Sequence, residues 1–168
     1  MDKMGFPRHT DYNHKSPPPQ FFALRVLHTD RNGGGALSII NAAEVIEKIK
    51  PATQKVFTRP KFRIKVSAES AESIDSIVGS LVCKDEELDQ KRIRFRSDIT
   101  QPLAKKAEGA LNELNELLGP GGITIEDIKI STTPDQLPDG FILLVDNGRR
   151  MHSQNEVMDT KRHLRRIR

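Results

Sequence analysis

Along this chain, runs of apolar residues bounded by turn formers alternate with segments in which charged and apolar positions take strict turns. Phe21-Phe22-Ala23-Leu24-Arg25-Val26-Leu27 and Gly140-Phe141-Ile142-Leu143-Leu144-Val145-Asp146 are short apolar runs with turn residues beside them, and each predicts a strand buried on at least one face. Ala36 to Ile40 predicts another strand, following the loop Arg31-Asn32-Gly33-Gly34-Gly35. Lys61 to Val66 and Arg92 to Arg96 alternate basic with apolar residues, so each predicts a strand with one solvated face. Helical spacing appears in two places. Ala42 to Ile49 follows Asn41 as a cap and meets a stop at Pro51, and Gln101 to Leu118 places Leu103, Ala107, Ala110, Leu111, Leu114 and Leu118 on one side before the break at Gly119-Pro120-Gly121-Gly122. The pattern is that of a mainly β chain with flanking helices.

Composition narrows this to one soluble domain with a modest core. The 168 residues are 36% hydrophobic and 5% aromatic, with no tryptophan. Cys83 is the single cysteine, which excludes an intramolecular disulfide framework and a thiolate-rich metal site, and its expected place is that of a small buried hydrophobe. Met1 to Gly5 carries no apolar secretory core, and no apolar run approaches the length that crosses a membrane, so a reducing cytoplasm is the expected setting.

Chemistry-bearing residues sit near the two ends. His9-Thr10-Asp11 places a histidine and a carboxylate two apart, which on a strand puts both on one face while Thr10 points away. His152 lies just beyond the strand predicted at 140–146. Two histidines and one carboxylate occupying one face of an octahedron, with the opposite face open, form the ligand set of mononuclear iron(II) oxygenases. His9, Asp11 and His152 are therefore the candidate metal ligands and catalytic centre.

The neighbouring residues strengthen that reading. Gly5-Phe6-Pro7-Arg8-His9-Thr10-Asp11-Tyr12, followed by Pro17-Pro18-Pro19 and the apolar run from Phe21, resembles the metal-binding opening of the taurine dioxygenase-like and clavaminate synthase-like superfamily. Leu137 to Asn147 resembles that family's strand before the distal histidine, and Arg162-His163-Leu164-Arg165-Arg166 resembles its closing motif. The resemblance implies an iron(II)- and 2-oxoglutarate-dependent dioxygenase on a double-stranded β-helix, the jelly-roll or cupin-like core, occupying residues 1–168 as one catalytic domain. It assigns Arg166 to the co-substrate's far carboxylate, which a planar guanidinium can hold through two parallel hydrogen bonds. It implies oxidation of a small molecule by dioxygen, with hydroxylation as the default outcome and desaturation as the variant. A free or carrier-bound amino acid is the favoured substrate.

Departures from the pattern shape further expectations. Where many relatives place a threonine against 2-oxoglutarate this chain has Ala36, leaving Ser38 as the substitute. The elements that precede the metal strand in the family are missing, so the resemblance implies an N-terminally shortened chain, and an inactive or split oxygenase acting through a partner chain stays open. An unpaired sheet edge would also favour a homo-oligomer or a completing partner.

Several residues have competing readings. His28-Thr29-Asp30 repeats the ligand pair but runs straight into the glycine loop, and it is expected to be a solvated loop. His14 is expected in solvent, and His163, in the place of a family aromatic, is expected to pack. Tyr12 is a candidate substrate contact or equally a packing residue, and Arg150, with Arg149 beside it, is a candidate for a substrate carboxylate or a plain surface residue. The net charge of +4 and the basic ending raise a nucleic-acid-binding alternative, but 23 acidic residues stand against 27 basic ones, and no recognised nucleic-acid module is present.

Overall fold

In the computed structural model, which describes residues 5–66, 74–85, 89–119, 122 and 129–167, the apolar run from Phe21 is a strand with a strict inside and outside. In β2 (Phe21–His28) the side chains of Phe22, Leu24 and Val26 are buried while Phe21 and Arg25 are exposed, the period of two that a half-covered sheet imposes. With β10 (Ile142–Asp146) on one side and β12 (His163–Ile167) on the other, β2 forms an antiparallel three-stranded sheet. Its outer face leaves Phe21, Ile142 and Leu144 in the open.

A four-stranded antiparallel sheet, in the order β1 (Phe6–His9), β11 (Arg150–Gln154), β3 (Leu37–Asn41), β9 (Lys129–Thr132), lies across from it. The two meet through their inner faces, where the ring of Phe22 is 5.2 Å from that of His152. β10 and β11 follow one another in the chain but belong to different sheets, the change being made at the corner Asn147-Gly148-Arg149. This is the jelly-roll, or double-stranded β-helix, arrangement, mainly β with helices beside it.

Those helices cover the back of the four-stranded sheet. The principal core joins Ile40 and Met151 from that sheet to Val45 and Ile46 of α1 (Ala42–Lys48), Phe57 of α2 (Pro51–Phe57), and Ala107, Leu111 and Leu114 of α3 (Lys105–Leu118). It also takes Phe62 and Ile64 of β4 (Phe62–Lys65), which pairs with β5 (Ser76–Gly79) and β8 (Thr100–Pro102), and Val82 and Ile93 of the hairpin β6 (Val82–Asp85) and β7 (Gln90–Ile93). No helix among the described residues is long and apolar enough to cross a membrane.

Asn41 caps α1 as expected, its Oδ1 accepting from Ala43 N at 3.1 Å. α1 ends at Lys48, ahead of Pro51 as expected, and Pro51 also starts a second helix: its fixed φ and missing N–H suit the first helical position, and α2 begins there. Gln101 and Pro102 belong to β8, so α3 starts only at Lys105, and Leu103 is left exposed ahead of it. The second alternating segment also differs from expectation. β7 ends at Ile93, and the arginines turn inward: Arg92 pairs with Asp85, and Arg94 Nε donates to Ser80 O at 2.7 Å.

Asp30 is not solvated. It is 3% exposed, and its carboxylate accepts backbone N–H groups from Asn32, Gly34, Met158 and Asp159 at 2.7–3.3 Å. Burial alone would raise its pKa, but these four donors outweigh that and hold it below the usual carboxylate range. The second histidine–aspartate pair is thus a structural clasp between the glycine loop and the segment entering β12, while His28 stays exposed beside Asp139. Cys83 is exposed, opposite Arg92 in the β6–β7 ladder, and not a core residue.

Candidate metal centre

β1 and β11 pair so that His9 and His152 are direct cross-strand neighbours, with ring centroids 4.2 Å apart. Both face the three-stranded sheet. Asp11 lies two residues past the end of β1, in a bend that continues through Tyr12 at a positive φ of 53°. The expectation that one strand carries His9 and Asp11 is corrected here, because the strand stops at His9 and the bend delivers the carboxylate. Asp11 Oδ1 is 3.9 Å from His9 Nε2, and its Oδ2 is 3.6 Å from His152 Nε2. All three residues are buried, and one ligand atom from each lies within 4.8 Å of the others. Among the described residues this is the only group of three or more such side chains placed to hold an ion.

The electrostatics favour ligation. His9 Nδ1 lies 2.8 Å from the Pro7 carbonyl, a contact that only a protonated Nδ1 can make as a hydrogen bond, which leaves the Nε2 lone pair toward Asp11. Burial lowers the pKa of His9 to about 4; the bond to Pro7 opposes this, and the Arg96 and Arg166 charges reinforce it. His152 is lowered to about 2, first by burial and then by His9 and Arg166. Both imidazoles are therefore neutral at neutral pH, the form that binds a metal. His152 Nδ1 is buried with no hydrogen-bond partner among the described residues. Two neutral imidazoles and a carboxylate, buried and convergent, fit a divalent transition metal.

Around this cluster the sequence candidates divide. Arg166 Nη2 is 3.1 Å from Asp11 Oδ1, and its guanidinium lies 5.8 Å from the Tyr12 ring and 6.0 Å from the Phe22 ring. Arg166 and Tyr12 thus border the centre. Arg150 precedes His152 by two on β11, so it shares that residue's face, with its side chain exposed. Arg149 instead pairs with Asp85 and Asp146. Ser38 is not brought to the centre. Its neighbour Ile39 is the cross-strand partner of His152, so alternation sends Ser38 to the other face, where its hydroxyl meets that of Ser131 at 3.2 Å. His14 is buried rather than solvated, and His163 is exposed rather than packed.

Two wall residues were not singled out from sequence. The Phe6 ring sits edge-on to His9 at 4.4 Å, and the Arg96 guanidinium lies 4.8 Å over Phe6 while gripping Asp98 through two bonds of 2.8 and 2.9 Å. Arg96 ends an alternating segment whose basic residues read as a solvated face, so nothing in its local pattern marked it.

No protein-family model matches the chain, and no curated protein sequence matches it either. Solved structures do. An asparagine oxygenase in complex with Fe(II), a 3-hydroxyasparagine and succinate superposes with a TM-score of 0.77 at 20% identity, over 98% of this chain and 49% of that one. The non-heme iron oxygenase OrfP in complex with Fe and alpha-ketoglutaric acid gives 0.69 at 17% identity, over 98% and 49%. OrfP with Fe, succinate and (3S)-hydroxy-L-Arg gives 0.64 at 18%, over 96% and 48%. The chain thus shares the fold of these non-heme iron oxygenases and spans about half the length of the structures it matches.

Proposed function

We propose that this chain is an iron(II)- and 2-oxoglutarate-dependent oxygenase that hydroxylates a small molecule, with His9, Asp11 and His152 holding the metal. The observation that carries the reading is the meeting of those three side chains, from opposite ends of the sequence, as two neutral imidazoles and a carboxylate in one buried cluster. The fold shared with enzymes crystallised with iron and alpha-ketoglutaric acid or succinate supports the same cofactors. An amino acid is the substrate class favoured, since the structures of those enzymes contain hydroxylated asparagine and arginine.

Bound iron with 2-oxoglutarate and dioxygen would supply the oxidising equivalents, the keto acid leaving as succinate and carbon dioxide. The chain's own residues do the rest. His9 is held in one tautomer by Pro7, and Phe6 and Phe22 pack against the two imidazoles to keep bulk water from the ligand face. Arg166 is the guanidinium at the edge of the centre and the residue suited to a co-substrate carboxylate. Tyr12 and the exposed Arg150 are the substrate-side contacts proposed.

The test is an anaerobic iron(II) titration with 2-oxoglutarate, monitored by the visible metal-to-ligand charge-transfer band. Wild type should develop the band; His9→Ala and His152→Ala should lose it, and Arg166→Lys should need at least about tenfold more 2-oxoglutarate. Succinate release on adding single amino acids then identifies the substrate. A wild-type chain that binds neither iron nor 2-oxoglutarate refutes the proposal.

A further inference from the structure

Asp11 lies beyond the end of β1 and its ladder with β11, yet it is buried. A single side chain serves its backbone there. Asn147 Oδ1 accepts from Asp11 N at 2.7 Å, and Asn147 Nδ2 donates to Asp11 O at 2.8 Å, so the amide stands in for a ladder partner. Nδ2 also donates to Pro19 O at 3.2 Å, and Asn147's own N–H donates to Gln20 O at 2.8 Å. Asn147 is only 1% exposed. Among ordinary side chains of this length, only a primary amide offers an acceptor and two donors together.

The location gives this bond pair its meaning. Asn147 forms the corner between β10 and β11, and β11 carries His152. One residue therefore ties Asp11 to the strand that bears His152. On the other side of Asp11, Thr10 is gripped as firmly: its hydroxyl donates to Asn13 Oδ1 at 2.7 Å and accepts from Phe95 N at 2.9 Å, while Asn13 Nδ2 returns a bond to Thr10 O at 2.6 Å. The bend at Asp11 is thus held from both flanks, and Asn147 binds Asp11 itself through both of its backbone groups.

We infer that Asn147 is a positioning residue for the metal centre: through the two backbone bonds to Asp11 it fixes where the carboxylate stands relative to His9 and His152, and so sets metal affinity and coordination. This rests on the metal reading above. Removing a group that orients a ligand typically weakens metal binding by about 10- to 100-fold.

Cobalt(II) titration of the full chain under anaerobic conditions, followed by visible d–d absorption, tests it on wild type, Asn147→Ala, Asn147→Asp, His9→Ala and Leu114→Ala. Wild type should give a saturable band that His9→Ala abolishes. Asn147→Ala should bind at least about tenfold more weakly, with a band of altered shape. Asn147→Asp should do the same despite its equal size, because its carboxylate cannot donate to the Asp11 and Pro19 carbonyls. Leu114→Ala opens a cavity in the principal core and serves as the control for lost stability alone. It should keep the wild-type affinity and band. Wild-type affinity and band in both Asn147 variants, or an equal loss in Leu114→Ala, overturns the positioning role and leaves the metal reading standing. A wild type without a band, or one indifferent to His9→Ala, overturns both. Where Asn147→Ala does not fold, the near-isosteric Asn147→Asp decides.

Discussion

Acidification should destabilise the metal-free chain before its carboxylates lose their partners, and His9 supplies the magnitude. An imidazole in the unfolded chain has its ordinary value of 6.5, whereas in the fold His9 is lowered to about 4 by burial. The sign follows from proton counting. Between those two values the unfolded chain binds more protons, so stability falls with falling pH and levels off below the folded value. At pH 5 the unfolded imidazole is largely protonated and His9 is not. The 1.5 pH units between 6.5 and 5, at 1.36 kcal/mol each, make the fold about 2 kcal/mol less stable than at high pH. His152 acts in the same direction and over a wider range, since burial and His9 lower it to about 2. Such a loss is a large part of the roughly 5–15 kcal/mol that stabilises a domain. Urea unfolding at pH 7 and pH 5 measures it, with His9→Gln as the comparison because glutamine has no proton to gain. Wild type should lose about 2 kcal/mol more than His9→Gln over that interval, and added cobalt(II) should stabilise wild type far more at pH 7 than at pH 5. Equal losses in the two proteins would refute the claim that His9 is held neutral by the fold.

Other substitutions probe the frame around the centre. A Cβ on Gly34 would stand 2.5 Å from Glu156 O and 2.6 Å from Met158 N, both backbone, so Gly34→Ala should lose about 1–3 kcal/mol or more in urea unfolding. Wild-type stability would show that the 156–158 segment yields freely. Asp30→Ala strips the acceptor from four backbone N–H groups and should lose about 3 kcal/mol at pH 7. Because the Asp30 carboxyl is held below its ordinary value, that contribution is present above the ordinary carboxylate range and lost on acidification through the folded value, so the variant and wild type should converge at low pH. Leu114→Ala should lose about 2–5 kcal/mol through the cavity it leaves, and a smaller loss would mean that α3 packs less firmly than its complete burial indicates.

Local pattern and chemistry were enough to read much of this protein from its residues. The period-two burial of β2, the apolar stripe of α3, the cap at Asn41 and the ligand types His9, Asp11 and His152 all depend on residue identity and short spacing, which a linear reading contains. Contacts between distant segments decided the rest. Which face of β3 looks inward is set by its pairing with β11, and that pairing turns Ser38 away from His152. Asp30 and Asp11 sit in the same short motif, yet one is a clasp and the other a candidate ligand, because only the tertiary structure brings Met158 and Asp159 to the first and His152 to the second. Cys83 and His14 exchanged their expected exposures for the same reason, since burial depends on what else packs there. The bond between Asn147 and Asp11 spans nearly the whole chain, and no local preference of either residue announces it. Sequence by itself determined which side chains could bind a metal; the folding of β1 against β11, with the corner at Asn147, decided that they meet.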